Sequence, residues 1–218
     1  MKMYLSRIAL DTGRRGTQRA LSVPHILHGA VEQGFEPSDS RRLWRIDWLH
    51  DICYLLVLSE SIPDLTHISD QFGLPSVQPL WETKDYNTLL TRLEVGQEWH
   101  FRLCANPTRS SYKEKDKERG RVFAHVTSEQ QKRWLLSRAE RCGFTLQENG
   151  FDVVHSRWFK FDKGKQGNHV SLRMATYEGR LVINNVEAFI QTLVNGVGRG
   201  KAYGCGLLTI ARAMTGMP

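Results

Sequence analysis

Apolar positions along this chain alternate between two spacings, and the switches between them outline its elements. MYLSRIAL (3–10) alternates as a strand, and the polar, basic DTGRRGTQR after it reads as a loop. LSVPHILHGA (21–30) moves to helical spacing. Ile26, Leu27 and Ala30 continue one pattern, Ser22 is the expected cap and Pro24 suits the first helical position. This helix is predicted to run to about Gly34. RRLWRIDWLH and CYLLVLSES follow as two β-rich runs that predict a hairpin. PDLTHISDQFG predicts a short helix with Pro63 or Asp64 near its start and Gly73 at its end, and WETKDYNTLLTRLEV reads as extended. The order is βαββαβ, the ferredoxin-like arrangement.

The second half repeats that order. EWHFRLCANP is a strand ended by Asn-Pro, and RSSYKEKDKERGR is a charge-dense stretch expected to be an exposed, mobile loop. Thr127 or Ser128 should cap the helix SEQQKRWLLSRAERCGF, with a Gln in capping-box position. FDVVHSRWFKF and VSLRMATYEGRLVIN are two strands around the loop DKGKQGNH. Val186, Phe189, Ile190, Leu193 and Val194 form one helical face, and GLLTIARA is the last strand. The expected fold is α+β, with two tandem ferredoxin-like (RRM-like, βαββαβ) domains, 1–94 and 95–218.

Composition narrows the classes. A chain of 218 residues with six Trp and nine Phe has the apolar content of a packed globular protein rather than a disordered one. A net charge of +7 fits a polyanionic partner, or a protein that is simply basic. No run of eighteen apolar residues occurs, and the first residues do not form a signal peptide. Cys53, Cys104, Cys142 and Cys205 lie far apart without a CxxC pair, so reduced, buried thiols are expected rather than a zinc knuckle or a disulfide framework. A soluble, cytoplasmic protein with no membrane partner is the expectation.

Three clusters carry candidate chemistry. NGVGRGKAYGCGLL is the densest glycine stretch, but it follows a helix, lacks GxGxxG spacing, and has Ala202 where a Walker loop needs Ser or Thr after Gly-Lys. It is either a tight helix-to-strand turn or a flexible loop whose backbone N–H groups approach phosphates, with Gly198, Arg199 and Lys201 as contacts. Arg157, Lys160, Lys163 and Lys165 lie along the second-half hairpin, either to track a nucleic-acid backbone or to guard a strand edge. Arg41, Arg42 and Arg45 interleave with Trp44 and Trp48, which are read as core because alternation points both to one face.

The third cluster is His25 and His28, three residues apart and so on one helical face. A zinc site needs a third ligand and usually an adjacent general base; the intervening residues are Ile26 and Leu27, with no nearby carboxylate before Glu32. A helix N-terminus disfavours charged imidazolium and attracts phosphate, which suits metal-free phosphodiester cleavage. There one group takes the proton of a 2′-hydroxyl and another protonates the leaving 5′-oxygen. Two partly exposed helix histidines remain the plain alternative.

Together these segments resemble the CRISPR repeat-processing endoribonucleases of type I-E systems, the CasE (Cse3) subunits of the Cascade complex. MYLSRIAL is similar to the opening strand, FRLCANPTRS to the Leu-x-Ala-Asn-Pro stretch, and YEGRLVI to the strand before the last helix. The most specific match is the terminal motif at Gly196, Gly198, Lys201, Gly204, Gly206, Leu207 and Leu208. The resemblance implies two ferredoxin-like domains and metal-independent attack of a 2′-hydroxyl with no cofactor, leaving a 2′,3′-cyclic phosphate. The implied substrate is the repeat stem-loop of pre-crRNA, held after cleavage beside other Cascade subunits. His28 falls at the family's catalytic histidine, and His25 stands where the family carries a tyrosine. Arg157, Lys163 and Lys165 would grip the stem. Two alternatives stay open: a subunit that holds crRNA but cuts slowly or not at all, and a metal-dependent nuclease using His25 and His28.

Overall fold

The computed structural model describes residues 2–37, 40–111, 121–163 and 168–212. Its first half runs β1 (Tyr4–Leu10), α1 (Arg15–Ser22), α2 (Pro24–Gln33), β2 (Leu43–Leu49), β3 (Ile52–Ser59), α3 (Thr66–Phe72), β4 (Trp81–Asp85) and α4 (Asn87–Leu90). Its second half runs β5 (Glu98–Ala105), β6 (Thr108–Ser111), β7 (Arg121–Ala124), α5 (Ser128–Ala139), β8 (Phe144–Thr145), β9 (Phe151–Lys163), β10 (Asn168–Ile183), α6 (Val186–Asn195) and β11 (Leu208–Ala211). The first sheet has strand order β2-β3-β1-β4; the second has β11-β5-β10-β8, with β9 also paired to β10. Both are antiparallel and follow the ferredoxin-like order.

Strand alternation divides the core of the first half. Ile8, Leu10, Trp44, Leu55 and Val57 meet Ala20, Leu27, Val31 and Ile68 from α1–α3 on one face. Met3, Leu43, Leu56 and Leu58 belong instead to a cluster shared with Trp99, Leu103, Trp134, Phe189 and Leu207 of the second half. The halves are also joined by a buried polar link. Arg45, 1% exposed, donates to both Asp47 oxygens (2.8 and 2.6 Å), to the carbonyls of Arg102 and Leu207 (2.7 and 2.8 Å), and to Thr209 Oγ1 (2.7 Å). An arginine can be buried this way because its fork of N–H groups finds an acceptor in every direction.

Four sequence expectations change. The basic stretch after β1 is not all loop, because Arg15–Ser22 is helical, with Thr17 and Ala20 on its buried side. Ser22 does not cap the histidine helix; it ends α1, and its hydroxyl donates to the Gln18 carbonyl. Val23 is the N-cap residue of α2, with no side-chain cap. The extended stretch after Trp81 turns helical at Asn87. Trp44 is core at 2% exposure, but Trp48, on the same face of β2, is 54% exposed because the strand runs past its cover. The expected helix end at Gly73 is present, as is the full Thr127–Gln130 capping box. Most of the charge-dense segment lies outside the described residues, between the paired strands β6 and β7.

Candidate active site and nucleic-acid interface

Pro24 opens α2 at its first position, where a missing N–H costs nothing. The next turn presents His25 and His28, both half-buried, with ring centroids 6.5 Å apart and planes tilted by 47°. Nδ1 of each ring is buried, which leaves Nε2 as the nitrogen able to meet a substrate. One turn on, Glu32 Oε1 stands 3.8 Å from His28 Nδ1, and its other oxygen accepts a bond from Arg42. The carboxylate therefore stands on the rear of the ring.

Two elements of the second half close around this helix start. The 3-10 turn Lys201–Tyr203 packs against α2. The outer part of the β9–β10 hairpin reaches beyond the β5 pairing, which ends at Ala175. Its buried residues Phe159, Phe161 and Leu172 pack with Val23 and Tyr203, and the Tyr203 ring meets Phe161 edge-on at 5.2 Å. Val23 immediately precedes α2, so one small apolar cluster fixes hairpin, glycine loop and histidine helix to one another. Beside it, β2 and the hairpin flank a cleft of about 290 Å³, with Trp48 and Arg157 among its walls.

The candidate cations are sorted by these elements. Lys201 is half-buried on its turn; burial, and after it the neighbouring Arg41, holds its ammonium below the ordinary lysine value. A cation disfavoured by its own surroundings is one that an incoming anion stabilises. Arg157 shares the strand face of Phe159, with its guanidinium 4.2 Å from that ring's centroid, and desolvation lowers its pKa. Lys160 is exposed and has the opposite parity, on the face of Trp158. Lys163 ends β9 in register with Asn168, and Lys165 lies outside the described residues.

The glycine loop is less open than a phosphate cradle would be. The N–H groups of Val197, Tyr203, Gly204, Cys205 and Gly206 are all spent on backbone carbonyls. Gly198 is exposed with φ +78°, and Arg199 bridges Asn106 through the backbone and turns into a separate groove. Thus the loop contributes Lys201 and Tyr203 to the histidine helix, but not Arg199. Among the described residues no three His, Cys, Asp or Glu side chains converge as a metal-holding group.

A family model described as CRISPR associated protein matches residues 3–212. The chain belongs to this family. It is 28% identical over 223 residues to the CRISPR-associated endoribonuclease Cse3 of Thermus thermophilus, covering 96% of this chain and 100% of that one. It is 27% identical over 171 residues to the CRISPR system Cascade subunit CasE of Escherichia coli (strain K12), covering 73% of this chain and 74% of that one. The solved structure of Thermus thermophilus Cse3 bound to an RNA representing a pre-cleavage complex superposes with a TM-score of 0.80 at 25% identity, over 97% of this chain and 100% of that one. These similarities agree with the type I-E resemblance carried by the glycine motif. In this CRISPR associated protein, sequence reasoning passed over Val23 and Tyr203, which register the three site elements. Their signal was present only as an apolar residue before Pro24 and an aromatic inside a glycine run.

Proposed function

We propose that this chain is a metal-independent endoribonuclease that cleaves CRISPR repeat stem-loops in pre-crRNA, leaves a 2′,3′-cyclic phosphate, and stays bound to the crRNA as a cytoplasmic Cascade subunit. The observation that carries the reading is the convergence of His25 and His28, the Lys201 turn and the hairpin's Arg157 face around one helix start. The RNA-bound and Cascade-associated relatives add the substrate class and the assembly. On this reading residues 1–94 supply the histidine helix, and residues 95–218 supply the RNA grip.

In the proposed reaction one imidazole takes the 2′-hydroxyl proton as the 2′-oxygen attacks the adjacent phosphorus. The bond from phosphorus to the 5′-oxygen then breaks, and that oxygen receives a proton from the second acid. His28 is the principal group, since it falls at the position the resemblance gives the family's catalytic histidine, with the Glu32 carboxylate 3.8 Å behind its Nδ1. His25 is the second acid–base group, and Lys201 opposes the charge gathering on the phosphate. Single-turnover cleavage of the host's repeat RNA in EDTA tests this. His28→Ala should slow cleavage by about 10²–10⁴-fold, the usual worth of a general acid–base group, with stem-loop affinity nearly kept. Equal loss of cleavage and binding, or cleavage that stops in EDTA, would refute it.

One observation favours a second reading. His25 occupies the position at which the resemblance places a tyrosine, so a subunit that holds crRNA without cutting it is the runner-up. Tight binding with no cleavage by the wild type, restored by His25→Tyr, would decide for it.

A further inference from the structure

Two residues before Lys201, the glycine loop borders a second groove, of about 560 Å³, between β6 and α5. Arg109, Arg133, Arg138, Arg141 and Arg199 line it together with His125, and among the described residues no Asp or Glu does. Of these arginines only Arg133 has a carboxylate partner among the described residues, Glu129 one helical turn away. The Arg138 guanidinium carbon stands over Trp134, 4.3 Å from the ring centroid, and that of Arg109 over Phe123. Trp134 also lines the groove, and its Nε1–H is buried without an acceptor among the described residues. The field these cations create is felt by His125, whose pKa is lowered by burial and then by Arg109 and Arg138.

Like charges gathered with a single carboxylate partner among the described residues destabilise the free protein, and the arrangement makes sense once a polyanion fills it. Guanidinium forks, two of them laid over aromatic rings, match phosphates spaced along a flexible strand. The groove is separate from the histidine helix but adjoins it along the chain, since Arg199 lines it two residues before Lys201 packs against α2, so a strand leaving that site would cross the glycine loop to enter it. Building on the proposed function, we infer that this groove is a second RNA site, which holds the phosphodiester backbone of the single-stranded RNA flanking the stem.

The test compares an uncleavable repeat stem-loop, the same stem-loop with a short oligouridine extension on either side, and oligouridine alone. Affinity is measured across salt concentrations for the wild type, for Arg109→Gln/Arg141→Gln, and for Arg138→Gln. Both altered arginines of the double variant are exposed, and Arg138→Gln provides an independent second variant. An extension should tighten wild-type binding several-fold and steepen its salt dependence. Each arginine–phosphate contact removed should take back about 0.7 of log–log slope, with the bare stem-loop bound as before. An extension that adds nothing in the wild type, or a gain that survives in both variants, would overturn the inference. So would variants that bind every RNA normally but no longer enter Cascade, which would assign the groove to an acidic protein surface. Were the bare stem-loop not bound at all, the repeat-RNA reading would fall, while loss of oligouridine binding in the variants would still support the groove.

Discussion

Replacing Arg45 by Met should be among the most damaging single changes available in this chain. The methionine fills similar volume but removes all five donated hydrogen bonds. Asp47, 6% exposed, then keeps its charge with only Arg102 Nη1 at 3.7 Å as a neighbour among the described residues. Breaking a buried ion pair from one side costs about 3–5 kcal/mol. The carbonyls of Arg102 and Leu207 each lose a donor, at up to about 1–3 kcal/mol apiece, less at Arg102, whose carbonyl still faces Thr209 Oγ1 at 3.5 Å. These losses overlap in one network, and the remaining Arg102 contact softens them, so the net expectation is about 4 kcal/mol. Against a typical total of roughly 5–15 kcal/mol, that leaves a marginal protein at best. Urea unfolding followed by tryptophan fluorescence would measure it. Arg45→Met/Asp47→Leu supplies the control, since removing the stranded charge should recover at least half of the loss. A drop below about 1 kcal/mol for the single variant, or a double variant no more stable than the single one, would refute the reasoning.

Gly204 has φ +81°, and a Cβ there would lie 2.8 Å from Trp44 Cζ3. Gly204→Ala should therefore cost about 1–2 kcal/mol of backbone strain, with steric displacement of a buried indole added. An unchanged urea midpoint would show that the loop can yield. Lys201, whose ammonium burial and Arg41 already disfavour, should take up its proton more firmly when RNA phosphate is bound. Affinity for the uncleavable stem-loop should then fall as pH rises toward the free protein's Lys201 pKa, which lies below 10.5. Lys201→Arg should flatten that decline, because a guanidinium stays charged throughout. Identical pH dependence in the two proteins would remove Lys201 from the phosphate contact.

The βαββαβ order of each half was legible because its signals are local. Strand alternation in MYLSRIAL, the Thr127 capping box and the helix stop at Gly73 each lie within a few residues. Helix α1 was not legible: RGTQRALS has only Ala20 and Leu21 as apolar side chains and buries only Thr17 and Ala20, so its two faces differ by charge rather than by an apolar stripe. Ser22 was a plausible cap by type, but the chain bends one residue later, and its hydroxyl serves the helix it ends. At the site, the histidine pair and the basic hairpin were visible in sequence. Which cations would join the histidines was not, since that depends on strand parity and on how the halves dock. Parity separates Lys160 from Arg157, and docking brings Lys201 to α2 while leaving Arg199 in another groove. The glycine loop, which sequence allowed to be flexible, is instead tied down by its own N–H groups, which bond carbonyls of the second half.

Met3, Leu43, Leu56 and Leu58 lie on the first sheet yet are covered by the second half of the chain. The two ferredoxin-like halves are consequently not interchangeable modules. Cut free, the first half would expose a contiguous apolar patch of the kind that makes isolated domains aggregate. A chimera that borrows one half from a relative inherits a mismatched seam, because the surface that holds the halves together also sets the spacing between the histidine helix and the Lys201 turn and β9–β10 hairpin.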